Sequence, residues 1–286
     1  MSSNATSDRS PGNQGGETVV TSPSERHEVF EATSVVSAHV TTSSGDVTVG
    51  ASESNVIEVT LSVKDDSHRH VLDEAVIEFD RAKNSLVVRT RTHDSFNAVR
   101  GFKSAFRRNS WFDFGGADPD VHVALPEGST VEVTTASGDT DLIGVLAKAT
   151  VTSASGNVSV ADEVGVLEMK TASGDVTSAT VRESLVCHSA SGNVRCDGAG
   201  ATTKIRTASG NVRLSVDGPS EISVRTVSGN VAVAVARGLE VDVDATSISG
   251  QLSSTMPLDA AGKPGHDSVS ISAKTVSGDV KVSSAA

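Results

Sequence analysis

The stretch Thr135-Ala136-Ser137-Gly138-Asp139-Thr140 decides the fold, because its core phrase keeps returning. A small residue, Ser, Gly and then Asp or Asn recur at Ala154-Ser155-Gly156-Asn157, Ala172-Ser173-Gly174-Asp175, Ala190-Ser191-Gly192-Asn193 and Ala208-Ser209-Gly210-Asn211. The phrase returns in altered form at Val227-Ser228-Gly229-Asn230, Ile248-Ser249-Gly250-Gln251 and Val276-Ser277-Gly278-Asp279. From Gly to Gly the first four steps are 18 residues, followed by 19, 21 and 28. A recurrence of this kind marks a repeat architecture.

Seven and five residues before each Gly stand apolar side chains such as Val131, Leu167, Leu185 and Ile222, or Val133, Met169, Cys187 and Val224. Two and four residues after it stand Val158, Val176, Val194 and Val212, or Leu142, Val160, Cys196 and Leu214. The intervening positions are mostly polar or charged. Alternation on both sides of a turn means two strands per repeat, each with one buried face. The Gly supplies the positive φ of the turn, and Asp or Asn suits the position after it. A Ser or Thr three residues before the Gly (Thr135, Ser153, Thr171, Ser189, Thr207, Thr226) has inward parity, so its hydroxyl is expected to bond backbone or a neighbouring coil.

An antiparallel meander and a parallel solenoid both fit this pattern. The solenoid is favoured, because Asp and Asn at one fixed turn position suit a stacked ladder and the Asn-Gly signal of tight hairpins is missing. The expected fold is all-β: a parallel β-solenoid of about eight coils, with about 18 residues and two strands per coil, and an N-terminal β cap. Equal positions would stack about 4.8 Å apart. Aromatic residues are only 3% of the chain, so small aliphatic side chains must fill a thin interior.

Residues 1–27 are rich in Ser, Thr, Gly and Pro and read as a disordered tail. Residues 28–91 read as the cap. It includes one early copy of the repeat phrase at Ser44-Gly45-Asp46, an alternating strand at Val56–Val63, and a hairpin joining Ala75–Phe79 to Leu86–Thr90. Residues 92–118 hold five of the 7 Phe and the 1 Trp, interleaved with basic residues. Phe102, Phe106, Arg107, Arg108, Trp111 and Phe112 are candidate partner-binding residues there. The segment either plugs the solenoid or docks on a partner or anionic membrane surface. Residues 119–286 carry the repeats, with Val269–Val282 as the final coil.

The run Val121-His-Val-Ala-Leu-Pro-Glu-Gly-Ser-Thr-Val-Glu-Val-Thr-Thr-Ala-Ser-Gly-Asp139, followed by serial Ser-Gly-Asp/Asn turns, resembles a bacterial family of β-strand-repeat proteins. That family is catalogued as candidate adhesins of otherwise unknown function. The resemblance extends over Glu28–Val282 and includes the basic, Phe-containing segment. It implies a β-solenoid with no assigned catalytic residues. The chain is more weakly similar to the polymerising bactofilin scaffolds, through its short-period, Val-rich coils.

Net charge is −12, which argues against a general nucleic-acid binder. No apolar run is long enough for a transmembrane helix, and Met1–Ser10 has no apolar leader segment, so a cytoplasmic location is expected. Four residues before the Gly, consecutive repeats carry Lys170, His188, Arg206 and Arg225. Stacked, they would form a basic ridge for an acidic partner or anionic surface, partly offset by Glu168. One residue after the Gly, Asp139, Asn157, Asp175, Asn193, Asn211 and Asn230 would form an acidic and amide ladder. Asp139 and Asp175, two coils or about 9.6 Å apart, approach the spacing of an inverting carboxylate pair. Turn chemistry explains them without catalysis. Cys187 and Cys196 occupy inward slots and read as buried free thiols. His68 and His70 lack a nearby third ligand, so no metal and no cofactor are expected. The expected role is a non-catalytic scaffold or adhesin-like interaction protein that binds a protein partner or itself through its coil ends. The alternatives are a carbohydrate-active solenoid enzyme and an envelope- or stress-associated regulator acting through residues 92–118.

Overall fold

The computed structural model describes residues 17–18, 22, 24–90, 118–255 and 268–285. The expected aromatic and basic binding residues Phe102, Phe106, Arg107, Arg108, Trp111 and Phe112 lie outside these. The N-terminal part comprises β1 (Glu17–Thr18), β2 (Glu25–Glu31), β3 (Ser37–Thr42), β4 (Val47–Ser52), β5 (Val56–Ser62), α1 (His70–Glu74), β6 (Val76–Asp80) and β7 (Ser85–Arg89). Next come β8 (Asp120–Pro126), β9 (Thr130–Ser137), β10 (Thr140–Ile143), β11 (Val145–Ser155), β12 (Val158–Ser173), β13 (Val176–Ser191) and β14 (Val194–Gly198). The chain continues through β15 (Thr202–Ser209), β16 (Val212–Val216), β17 (Ser220–Ser228), β18 (Val231–Val235), β19 (Glu240–Ser249), β20 (Leu252–Ser254), β21 (Ser268–Ser277) and β22 (Val280–Ser284).

From β9 to β18 every pairing is parallel, and the register is regular except between β12 and β13, where it slips by one residue at Glu163–Val164 and recovers by Val166. Val151, Met169, Cys187, Ile205 and Val224 are successive partners on one leg. Val158, Val176, Val194, Val212 and Val231 are partners on the other. The fold is therefore the solenoid and not the meander. These inward side chains are almost completely removed from water, and each contributes roughly 1.5–3 kcal/mol to folding. Single layers cannot enclose the interior, so stacking closes the core.

The early copy of the repeat phrase is a full member of the stack. Strands β3 and β4 lie directly under β9 and β10, with Val40 beside Val133 and Val49 beside Leu142. Residues 37–52 thus belong to the solenoid, which gains a ninth Ser-Gly turn. Beneath them, β7 pairs with β3 and β8 with β4, again in parallel. The chain then reverses. Strand β5 is antiparallel to β8, β2 to β5, and β6 to β7. Strand β2 makes Glu25, Arg26 and His27 strand rather than tail. The short helix α1, which the alternation pattern does not announce, buries Val71 and Leu72 over this end. Arg26 fastens it by donating from Nη1 to the carbonyls of Leu72 and Ala75 at 2.9 and 2.7 Å. The Phe30 and Phe79 rings pack 5.5 Å apart in the same cap. Among the described residues, no helix is long and apolar enough to cross a membrane.

At the other end, chain order and spatial order part. Strands β21 and β22 lie on β17 and β18, pairing Ile271 with Ile222 and Val280 with Val231. Strands β19 and β20 lie outside them, pairing Val243 with Ile271 and Leu252 with Val280. Val269–Val282 is the last coil of the chain but the penultimate layer in space, which corrects the expectation drawn from sequence order. The inward residues explain the choice. Val269, Ile271, Ala273, Val280 and Val282 are almost fully buried, as a layer covered on both sides requires. The segment holding Glu240, Asp242 and Asp244 takes the outermost place, where one side meets water.

The Ser-Gly turns stack in one column. A Cβ added to Gly156, Gly174, Gly192 or Gly210 would lie 2.0–2.1 Å from the carbonyl oxygen of the glycine one layer below, and each φ lies between 125° and 141°. Gly278 meets Gly229, and Gly250 meets Gly278, in the same way. Gly174→Ala is therefore expected to destabilise the protein by roughly 3 kcal/mol, through strain plus backbone displacement. Gly218→Ala, where a Cβ meets nothing within 4 Å, should cost under about 0.5 kcal/mol. Equal urea midpoints for the two variants would refute the close approach.

Candidate interaction surface

The turn after each Gly builds a continuous ladder. The backbone N–H of Asp139 donates to Asp46 Oδ1, Asn157 to Asp139, Asp175 to Asn157, Asn193 to Asp175, Asn211 to Asn193 and Asn230 to Asn211. At its ends Asp46 donates to Asp120, Asp279 to Asn230 and Gln251 to Asp279, and all these bonds are 2.7–3.1 Å. Asn193 and Asn211 add side-chain bonds from Nδ2 to the layer below at 3.1 Å. Asp and Asn interchange because each rung needs only an Oδ1 acceptor. Sequence reading missed Asp120 as a rung, since it follows Pro119 and not Ser-Gly.

This geometry occupies the two carboxylates read as a potential catalytic pair. Asn157 stands between Asp139 and Asp175, and Oδ1 of each accepts the next layer's N–H. One oxygen of each therefore has a structural task. Asp175→Asn keeps the acceptor and should shift stability by under about 0.5 kcal/mol, whereas Asp175→Ala gives up two exposed hydrogen bonds from Asn193 to water and should cost about 1 kcal/mol. Thermal melts of both variants check the difference in sign and size.

The inward hydroxyls follow the expected local pattern in part. Ser153, Thr171 and Thr207 donate to the carbonyls of Ser155, Ser173 and Ser209 at 2.9–3.2 Å. Cys187 and Cys196 are buried free thiols. Burial pushes them up to about 12 and about 11, so both stay protonated and unreactive at neutral pH. The His68 and His70 rings lie 6.5 Å apart, and among the described residues no group of three His, Cys, Asp or Glu is placed to hold a metal ion.

The basic ridge is in register. Lys170 partners His188, His188 partners Arg206, and Arg206 partners Arg225. The inserted layer then puts Lys274 beside Arg225. Five consecutive layers thus carry a cationic or imidazole side chain on one outward column, bounded by Thr152 and Thr246. Counting four back from Gly278 finds Lys274 in the sequence. Its neighbour Arg225 is hidden by the irregular spacing. Glu168 does not neutralise Lys170 but pairs with Lys148 at 2.7 Å. Lys274 meets Asp244 at 3.6 Å. Among the described residues, no carboxylate is within ion-pair distance of Lys170, Arg206 or Arg225.

His188 reports the local field. Its ring is held below the ordinary histidine value, by partial burial first and then by the charges of Arg206 and Lys170. Glu168 and Lys204 face it from the diagonal positions of the adjoining layers. The unfolded chain takes up this proton near pH 6.5, and the folded chain only at lower pH. Stability therefore falls as pH drops below about 6.5, because the unfolded state binds more protons there. His188→Gln should flatten the fall in melting temperature between about pH 7 and pH 5. Identical pH profiles for the two proteins would contradict this assignment.

The family profile Toastrack DUF4097 matches residues 36–283. Among solved structures, the chain is similar to a candidate adhesin from Bacteroides fragilis, with 13% identity, a TM-score of 0.48, and coverage of 91% of this chain and 98% of that one. It is similar to a candidate lipid-binding protein from Parabacteroides distasonis, at 14% identity and TM-score 0.44, covering 92% and 97%. A candidate cell adhesion protein from Clostridium sporogenes matches at 10% identity and TM-score 0.32, covering 91% and 99%. No curated protein matches the chain.

Proposed function

The chain belongs to the Toastrack DUF4097 family, and we propose that it works without catalysis, as a rigid adhesin-like scaffold that pairs with a second copy through one end. The single observation that carries this reading is the unequal finish of the stack. At the N-terminal end β6 also pairs on one side only among the described residues, with β7, but helix α1 and the antiparallel strands cover the inward side chains, leaving Ile77 and Phe79 buried. At the C-terminal end, strand β19 pairs on one side only among the described residues, with β21. The inward positions of that outer layer are left open, with Val243 39% and Leu252 51% exposed. An unpaired strand edge beside exposed apolar side chains is a template for another strand.

The open end of one copy does not match the capped end of another, so head-to-tail growth is disfavoured. Two open ends do match, related by a two-fold axis, and the result is a closed dimer. The ladder supports the non-catalytic part of the reading, because the carboxylates that could have served chemistry are engaged in holding layers together.

Sedimentation equilibrium of the full chain should give a concentration-dependent dimer and no larger species. Val243→Glu with Leu252→Glu should shift it to monomer while the far-ultraviolet circular dichroism stays unchanged. A wild-type chain that remains monomeric at every concentration up to the millimolar range, or one that grows into filaments, overturns the proposal.

A further inference from the structure

We propose that the outward column Lys170, His188, Arg206, Arg225 and Lys274 binds a linear polyanionic glycan, laid along the solenoid axis with about one acidic group per layer. Like charges about 4.8 Å apart in neighbouring strands repel, so the column is a poor device for stability. It persists on a chain whose net charge is −12. The remaining negative charge is screened over about 8 Å at physiological salt, which leaves the column attractive at contact range.

The occupant follows from the shape of the charge. The column is one residue wide and runs across strands. Beside it, nearer the turn, stand Ala172, Ala190 and Ala208, small side chains that leave room for a polymer to lie flat, and then Val227 and Val276, exposed apolar side chains against which a sugar ring can rest. On the other side the same face carries the exposed carboxylates of Glu132, Glu221, Asp242 and Asp244, with Lys204 the one exposed cation of the neighbouring row between β12 and β17. A flat anionic bilayer would have to meet these carboxylates together with the column. A single extended chain can follow Lys170, His188, Arg206 and Arg225 and avoid most of the carboxylates, meeting only Asp244 where it pairs with Lys274. A polyuronate, with one carboxylate on every sugar, presents charge at a comparable spacing.

The inference does not depend on self-association, because the column lies along the side of the layers and not at their end. The experiment measures binding of polygalacturonate to the full chain at low and physiological salt, with neutral dextran and phosphatidylglycerol vesicles in parallel. Binding to polygalacturonate that weakens as salt rises, with none to dextran, is expected. Arg206→Ser, Arg225→Ser and Lys274→Ser together should weaken it roughly tenfold or more. The matched control is Arg195→Ser, Arg213→Ser and Lys281→Ser on the outward face of the other leg, which removes the same charge. It should stay within about twofold of wild type. The column triple should also melt no lower than wild type, since it relieves repulsion. Absence of polygalacturonate binding, equal losses in the two triples, or binding to the vesicles alone overturns the proposal. The Val243→Glu, Leu252→Glu chain should bind as wild type does, so failure of the dimer leaves this test intact.

Discussion

The structure depends on the close approach of one turn to the next. At each Ser-Gly corner a carbonyl oxygen occupies the space where a Cβ would stand in the layer above. Only glycine fits, and from Gly138 to Gly229 and at Gly278 it also adopts a φ that other residues avoid. Once one corner is seated, the register of both legs is set, because a slip by one residue would turn every inward side chain outward. The parallel pairing, the continuous core and the alignment of outward columns all follow from that corner.

Two kinds of interaction share the work unequally. The rungs from Asp46 to Gln251 are exposed hydrogen bonds, each worth roughly 0.5–1.5 kcal/mol net. The aliphatic interior supplies more per residue and is continuous from the cap to the outer layers. The ladder therefore acts chiefly on register, and the core on stability. With the layers fixed by both, the outward faces are free to carry charge in arrangements that the fold itself does not need. The column from Lys170 to Lys274 is such an arrangement.

The two ends show how non-sequential layering is selected. Strands β3 and β4 enter beneath β9 and β10, bringing Asp46 against Asp139 although 93 residues separate them. Strands β21 and β22 enter beneath β19 and β20. In both cases the coil that takes the position covered on both sides has its inward slots almost fully buried and aliphatic apart from one Thr, Thr42 or Thr275. At the C-terminal end the more acidic coil is left facing water. Burial, not chain order, decides the sequence of layers.

The amino-acid sequence by itself determined the local unit: a strand, a Gly turn with an Asx acceptor, and a second strand, repeated about every 18 residues with one buried face. These features depend on neighbours within a few residues, where φ preference and alternation act. It also placed Lys170, His188, Arg206 and Arg225 in one column, because the period between them is nearly constant. Tertiary structure alone decided that Lys274 extends that column, that Asp120 is a rung, that α1 plugs one end, and that the penultimate layer comes last in the chain. Those outcomes depend on which coil best fills a two-sided apolar slot, a comparison between segments far apart that no local period records.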